Sequence, residues 1–484
     1  MPFNINLNLA SLIAQQSLRE SSTRLDRVFE QLASGDKINR AGDDASGLAI
    51  SQLMRSQIRG LDQAMRNTGD GLSVLDTAES AIGSIQNLVQ RLRELAIQAA
   101  NGSNSDDNRN LIQEEVDQVL AEIDRLAGTV QFNGKLLLDG SFTAQRVQTG
   151  LEAGDFFTIS IADLRTTALG QQAIAVGETP VSTSPIPNTA PPSLEINGVA
   201  IPATTGDGIS FANADASALA KAAAINSVSA RTGVLARAEA AVHQAAGASI
   251  GAVALDGTGS SLFINGVNVG PVAVEAGDST GTLREAINSI SLQTGVRATI
   301  ATTGELVLTA EDGRNFEITT TGSVADEIGL RAGNGDLTAQ VVSGSVRLSS
   351  SSAINVGGAE PALIGFNPAT QTIVPIDPNS SMSNLRVVTE AEAQDAIEGA
   401  DAALAQLNRI RARLGAITNG LEAAINNIDL NAQNLTASDS RIRDTDFAEA
   451  TAKMTQEQIL QQTATAILAQ ANLIPQMALR LLER

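Results

Sequence analysis

The chain has 484 residues, more than a single hydrophobic core usually organises, so two or more domains are expected. Its 32 Lys and Arg against 53 Asp and Glu leave a net charge of −21, which argues against gripping phosphate backbones and so against nucleic-acid binding. With no Cys, Tyr or Trp and a single His, disulfides and thiolate metal sites are excluded, and burial must come from Leu, Ile, Val and Ala.

At the start of the chain the first basic residue is Arg19, and Asn4, Asn6 and Asn8 interrupt the apolar positions, so no cleavable secretory signal is expected. No run of 18 apolar residues occurs, and membrane insertion is not expected. Leu18, Leu25 and Leu32 recur every seven residues and predict a first helix with a coiled-coil seam. A break from Gly35 to Gly42 separates it from a second helix over 44–99, roughly 80 Å long at about 1.5 Å per residue. Ile58, Leu61, Met65, Leu72 and Leu75 give that helix its apolar stripe, resumed by Ile82, Ile85, Leu88, Leu92, Leu95 and Ala99; the change of step after Leu75 predicts a stammer-like register shift. A third helix is expected from Asp107 to Leu126, carrying Leu111, Val116, Val119, Leu120 and Ile123 and stopping at Gly128. The acid pairs Asp43-Asp44 and Asp106-Asp107 fall where helices begin, where capping is a better reading than metal binding.

Eleven of the 13 prolines lie in 180–378, so the middle reads as turns and strands between helical flanks. An internal repeat runs through it. Ser193-Leu-Glu-Ile-Asn-Gly-Val199 recurs as Ser261-Leu-Phe-Ile-Asn-Gly-Val267, and Ala224-Ile-Asn-Ser-Val-Ser-Ala-Arg-Thr-Gly-Val234 as Ala286-Ile-Asn-Ser-Ile-Ser-Leu-Gln-Thr-Gly-Val296. Each copy, about 193–236 and 261–298, is expected to be a hairpin turned at Asn-Gly and followed by a short helix, the two making one or two compact domains. Leu306 to Leu308, Asp312-Gly313 and Phe316 to Ile318 predict one more hairpin, with Glu305 exposed on a strand. His243 stands in an Ala-rich stretch as a structural or solvated residue, and no glycine pattern makes a phosphate loop. No catalytic, cofactor-binding or metal-ligating residue is assigned.

Thr389 and Glu392 have capping-box spacing ahead of Ala400, Leu407, Leu414, Leu421, Ile428 and Leu435, which hold strict sevens. Leu460, Ile467, Ile474 and Leu481 repeat the pattern, interleaved with Ala464, Ala471 and Ala478. The expected class is mixed: long helical coiled-coil ends and a helical rod, with an inserted α+β, β-rich outer region. Leu92, Leu407, Leu414, Leu421 and Ile428 are assigned to the rod core. Leu18, Leu25, Leu32, Leu460, Ile467, Ile474 and Leu481 form a packing seam that needs neighbouring subunits, because isolated helices are marginal in water.

Leu32-Ala-Ser-Gly-Asp-Lys-Ile-Asn-Arg-Ala-Gly-Asp-Asp-Ala-Ser-Gly-Leu-Ala-Ile50 resembles the segment joining the first two helices of bacterial flagellins. Ser440-Arg-Ile-Arg-Asp-Thr-Asp-Phe-Ala-Glu449, Gln458-Ile-Leu-Gln-Gln462, Leu468-Ala-Gln-Ala-Asn472 and Pro475-Gln476 resemble the flagellin carboxyl end. The likeness covers roughly 1–165 and 383–484, and the repeats resemble inserts that some flagellins carry. It implies a non-enzymatic subunit, without cofactors, that self-assembles into the extracellular flagellar filament for motility. Implied domains are a terminal coiled coil of 1–43 and 441–484 lining the channel, a rod of 44–179 and 381–440, and an outer insert of 180–380. Implied partners are other copies, the flagellar type III export apparatus, an export chaperone on the C-terminal helix, and the filament-cap and hook-junction proteins. Gln90-Arg-Leu-Arg-Glu-Leu-Ala-Ile-Gln-Ala-Ala-Asn101 resembles the segment read by the host Toll-like flagellin receptor, with Arg91, Leu95 and Glu115 at matched positions; Leu95 equally fits the coiled-coil seam, with Arg91 and Glu94 at its rim. The alternatives are a hook–filament junction protein, and a secreted adhesin or enzyme whose function lies in 180–380.

Overall fold

The computed structural model describes residues 8–189, 191–244, 250–257, 259–322, 324–330, 339–367 and 373–482, with side chains described as far as 473. Five long helices frame it: α1 (Leu9–Ser34), α2 (Ala45–Ala99), α3 (Asp106–Thr129), α4 (Glu390–Arg443) and α5 (Phe447–Leu482). Local chemistry sets their ends. Asn8 Oδ1 accepts from Ser11 N–H at 3.1 Å, and α1 stops at Gly35, whose φ of 76° suits a residue without Cβ. Asp44 Oδ1 accepts from Gly47 N–H at 2.9 Å at the start of α2. For α3 the cap is Ser105, accepting from Asn108 N–H at 3.3 Å; Asp106 and Asp107 occupy the first turn, where the helix dipole favours acids. Thr389 and Glu392 form the expected reciprocal capping box, Thr389 N–H to Glu392 Oε2 at 3.0 Å and Glu392 N–H to Thr389 Oγ1 at 3.2 Å.

The register shift expected in α2 is absent. From Leu61 on, a buried row of Leu61, Ala64, Thr68, Gly71, Leu75, Ala78, Ile82, Ile85, Val89, Leu92, Ala96 and Ala99 alternates steps of three and four without a break, with Ala81 and Leu95 buried beside it. The stripe passes through Thr68, Gly71 and Ala78, which a reading of large apolar residues steps over, while Leu72 and Leu88 flank it half-buried.

The chain forms two compact units, divided within α2 and α4. The first holds the described residues of Met1–Thr77, Phe142–Ser160 and Arg413–Arg484. Here a hairpin of strands Gln145–Gln148 and Phe156–Ile159 docks on the helices. A Cβ on Gly71 would sit 3.2 Å from both Val147 methyls, and one on Gly420 3.1 Å from the Phe157 ring, so these mid-helix glycines are the seats of the hairpin. Arg146 stacks over Phe156 at 4.6 Å, a cation–π contact.

The second unit holds Ala78–Ser141 and Ile161–Ala412. Its insert contains two modules with the same plan. In the first, Val346–Ser350 pairs on one side with Leu235–Ala238 and on the other with Ala173–Val176; in the second, Leu306–Ala310 pairs with Arg297–Ile300 and Ala241–Gln244. The other sheets match as well. Val199–Ala200, Glu195–Ile196, Ile354–Gly357 and Ile373–Val374 lie in that order, as do Val267–Asn268, Ser261–Ile264, Phe316–Thr321 and Gln340–Val342.

The repeated asparagines explain the repeated shape. Asn197 and Asn265 turn their hairpins at φ of 51° and 52°, and donate from Nδ2 to Thr232 O at 2.8 Å and Thr294 O at 2.7 Å. Asn226 and Asn288 each accept at Oδ1 from the following strand, Ala236 N–H and Ala298 N–H, both at 2.8 Å. A buried position differs chemically. Lys221, held down to a pKa of about 8 by burial, bonds Ser182 O at 2.6 Å and Leu363 O at 2.7 Å where the second module has Leu283.

Two sequence expectations are corrected. Asp312-Gly313 does not turn a hairpin: Leu306–Ala310 and Phe316–Thr321 belong to different sheets, and the loop crosses between them. Gly313, at φ 76°, lies against the first module, where a Cβ would be 2.7 Å from that of Ala238. Glu305 is buried rather than exposed, with Gln244 Nε2 donating to its carboxylate.

The modules are nested. Residues 301–305 join Arg297–Ile300 to Leu306–Ala310 in the second, whereas 239–345, which contain that whole module, join the equivalent strands of the first. Replacing 239–345 by Ala301-Thr302-Thr303-Gly304-Glu305 is therefore expected to leave the first core folded, because Ala238↔Val346 and Ile300↔Leu306 close the same register. Lost contacts of Asn315 with Ser210, Ala212 and Asn213, of Val181 N–H with Gly344 O and of Arg237 with Glu239 would cost about 2–4 kcal/mol. Calorimetry checks this: loss of the first module's cooperative transition would show that the modules are not separable.

Candidate assembly interface

α1 and α5 pack side by side through small residues. The buried face of α1 is Ser11, Ala14, Ser21, Leu25 and Val28; that of α5 includes Ala450, Ala464 and Ala471. Polar groups fix the register. Ser11 Oγ donates to Asn472 Oδ1 at 2.9 Å, Asn8 Nδ2 to Ala471 O at 2.9 Å, and Ser21 Oγ to Glu457 Oε2 at 3.0 Å, while Arg24 Nε meets Glu457 Oε1 at 2.9 Å. Alanine and serine bury little apolar area, so this seam is a weak one on its own.

Apart from Leu25 and Val28, many large apolar side chains of the pair point elsewhere. Leu9, Leu12, Ile13, Ile459 and Leu473 are exposed, as are Leu460 at 42% and Ile467 at 55%. Ile13, Leu460 and Ile467 also line a groove of about 580 Å³ between the helices. Of the seam residues assigned from sequence, Leu25 is buried, Leu18 and Leu32 are half-buried, and Leu460 and Ile467 are open; the side chains of Ile474 and Leu481 lie outside the described residues. Sequence spacing marked the leucine row of α5, while the contact made within the chain uses the alanine row beside it. Exposed apolar side chains gathered on one helix pair make it the candidate interaction surface.

Where the terminal pair meets the other helices, polar groups do the positioning. The chain segments at Asp36 and Asp444 form an antiparallel bridge, with Thr445 N–H donating to Gly35 O at 2.9 Å and Arg443 Nη2 to Asp36 Oδ2 at 2.8 Å. Asp439, largely buried, accepts from Ser51 Oγ at 2.5 Å and Arg55 Nε at 2.9 Å. Burial would raise its carboxyl pKa, but the Ser51 and Arg55 hydrogen bonds outweigh that and hold it below the usual carboxylate range. Sequence reading missed this cluster, although its residues lie within or beside the quoted flagellin-like segments.

Of the rod-core residues, Leu414, Leu421 and Ile428 are buried in the first unit, and Leu92 and Leu407 in the second. Arg91 Nη2 reaches Glu115 Oε1 at 2.6 Å on the exposed side of α2 and α3, whereas Leu95 is 1% exposed, so the accessible part of that trio is the ion pair. The insert is tied to α4 by charge. Arg237 and Arg347, cross-strand neighbours, meet Asp395 at 2.7 and 2.9 Å, and burial pushes the adjacent Glu398 carboxyl up. His243 Nε2 lies 2.9 Å from Leu330 O, a structural contact. Among the described residues no helix is long and apolar enough to cross a membrane.

Residues 5–143 match the bacterial flagellin N-terminal helical region, 397–482 the bacterial flagellin C-terminal helical region, and 261–312, within the second module, the flagellin hook IN motif. The chain is 35% identical to B-type flagellin of Pseudomonas aeruginosa and 32% identical to flagellin B of Vibrio anguillarum, each over 100% of both chains. Among solved structures, FliC from Burkholderia pseudomallei aligns with 72% of this chain and 99% of its own at 18% identity and a TM-score of 0.30. With helical regions matched at both ends and full-length relatives at this identity, the chain belongs to the bacterial flagellin family and is a structural subunit of the flagellar filament.

Proposed function

We propose that this flagellin polymerises through the faces of α1 and α5 that a single chain leaves uncovered. The observation that carries this reading is the pairing of those helices through alanine and serine while Leu9, Leu12, Ile13, Ile459, Leu460, Ile467 and Leu473 remain exposed. Covering them removes apolar surface from water at about 25 cal/mol per Å², a gain that other copies supply in the filament. In this reading 1–43 with 441–484 form the terminal assembly domain, 44–179 with 381–440 the rod, and 180–380 an outer insert.

The subunit acts by association alone, with no catalytic step. It leaves the cell through the flagellar type III apparatus without a cleavable signal, escorted by a chaperone on α5, and is placed between hook-junction and cap proteins. Arg91 and Glu115 present a paired surface that a Toll-like receptor could read in the free subunit. Seeded polymerisation of the purified chain, viewed by electron microscopy, tests the core of this reading. Long fibres with a central channel are expected; a chain that stays monomeric with seeds present would refute it.

A further inference from the structure

A second feature of the first unit is polar. One face of α2 presents Gln52, Arg55, Ser56 and Arg59, spaced so that all four lie along one side of the helix, and the end of α4 brings Arg443 to it. They line a pocket of about 390 Å³. Its charges do not balance. Arg55 is paired with Asp439 at 2.9 Å and Arg443 with Asp36 at 2.8 Å, while Arg59 has no ion pair among the described residues. Arg443 Nε is buried and has no hydrogen-bond partner among them either. The site thus holds one cation in excess and one unused N–H in a chain whose net charge is −21.

We propose that the pocket of Arg55, Arg59 and Arg443 receives a carboxylate side chain from a second copy of this chain in the filament. The proposal rests on the self-assembly reading. A planar guanidinium presents forked N–H donors that match the two oxygens of a carboxylate; Arg59 supplies that fork, and Arg443, engaged with Asp36, adds positive charge from the second helix. The occupant follows from charge complementarity. Copies carrying −21 repel one another, and each brings exposed acids of the same unit, such as Asp26, Asp62, Asp70 and Glu422, with no ion pair among the described residues. A cation-rich pocket beside the terminal helices is where one of them can be taken up, and it fixes the register of copies that apolar faces alone leave free to slide.

Arg59→Gln tests this, with Arg59→Lys as the charge-retaining variant. Because Arg59 is exposed and makes no ion pair among the described residues, both monomers are expected to melt like the parent. Arg59→Gln should raise the critical concentration for seeded growth by about fivefold, an exposed ion pair's share of binding, and Arg59→Lys by less. Raising NaCl from low to moderate ionic strength relieves the general repulsion in both chains, and it should narrow the gap in critical concentration between the parent and Arg59→Gln, since screening also acts on the pair the variant lacks. Parental critical concentration and parental salt dependence in Arg59→Gln would overturn the proposal. So would inorganic phosphate raising the melting temperature of the parent but not of Arg59→Gln while both assemble alike, because the occupant would then be a free anion. A parent chain that fails to polymerise overturns the self-assembly reading itself, and is told apart by needing no variant.

Discussion

Leu421→Asp is expected to destabilise the helical part of the first unit severely. Leu421 is 0% exposed, sits seven residues from both Leu414 and Ile428, and places Cδ1 3.5 Å from where a Cβ of Gly71 would be. The substitution removes a buried side chain worth about 2 kcal/mol of transfer free energy, leaves a cavity, and sets an unpaired acid among apolar groups. Together these cost about 4 kcal/mol or more, even if the acid protonates. Thermal unfolding of the monomer checks it, with a fall of roughly 10 °C expected at about 2–4 °C per kcal/mol. Leu292→Asp is the matched control: Leu292 is 100% exposed, and the change should stay within about 0.5 kcal/mol. Equal melting of Leu421→Asp and the parent would show that the α4 seam does not face the core.

Ile467→Asp should do the reverse, leaving the monomer alone and abolishing the filament. Ile467 is 55% exposed on the outer row of α5, and the in-chain contact of that helix runs through Ala464 and Ala471 instead. An acid there meets water in the free chain, so stability should change by about 0.5 kcal/mol or less. In the filament it would be covered by other copies and desolvated without a partner, a cost of about 3 kcal/mol or more for every subunit added. That corresponds to a critical concentration roughly 100-fold higher, read by pelleting after seeded growth. Filaments at parental concentration would mean that the outer row of α5 stays in solvent after assembly.

How much of this was legible depends on whether the signal was local. The sevens of α4, the capping box at Thr389 and Glu392, and the Asn-Gly turns at 197–198 and 265–266 are short-range patterns with one physical solution, and the structure adopts them. The unbroken stripe of α2 was harder, because three of its steps fall on Thr68, Gly71 and Ala78, whose small size matters only for what approaches them. Gly71 and Gly420 read as weak helix residues until Val147 and Phe157 occupy the space they leave. The repeat was visible, but the nesting was not: the pairing of Leu235–Ala238 with Val346–Ser350 spans a whole module and leaves no mark in either strand. For the same reason Asp312-Gly313 looked like a hairpin, although its flanking strands find partners elsewhere. On α5 the sequence shows a leucine and isoleucine row, yet only the structure separates it from the alanine row that holds α1.

The most direct measurement is a density map of filaments grown from the full chain, at a resolution that shows side chains along α1 and α5. The account expects Leu460 and Ile467 of each copy to be buried against helices of neighbouring copies, with the Ala464 and Ala471 row still packed on α1 as in the single chain. Filaments in which Leu460 and Ile467 face solvent, with contacts made through the modules of the insert, would contradict it.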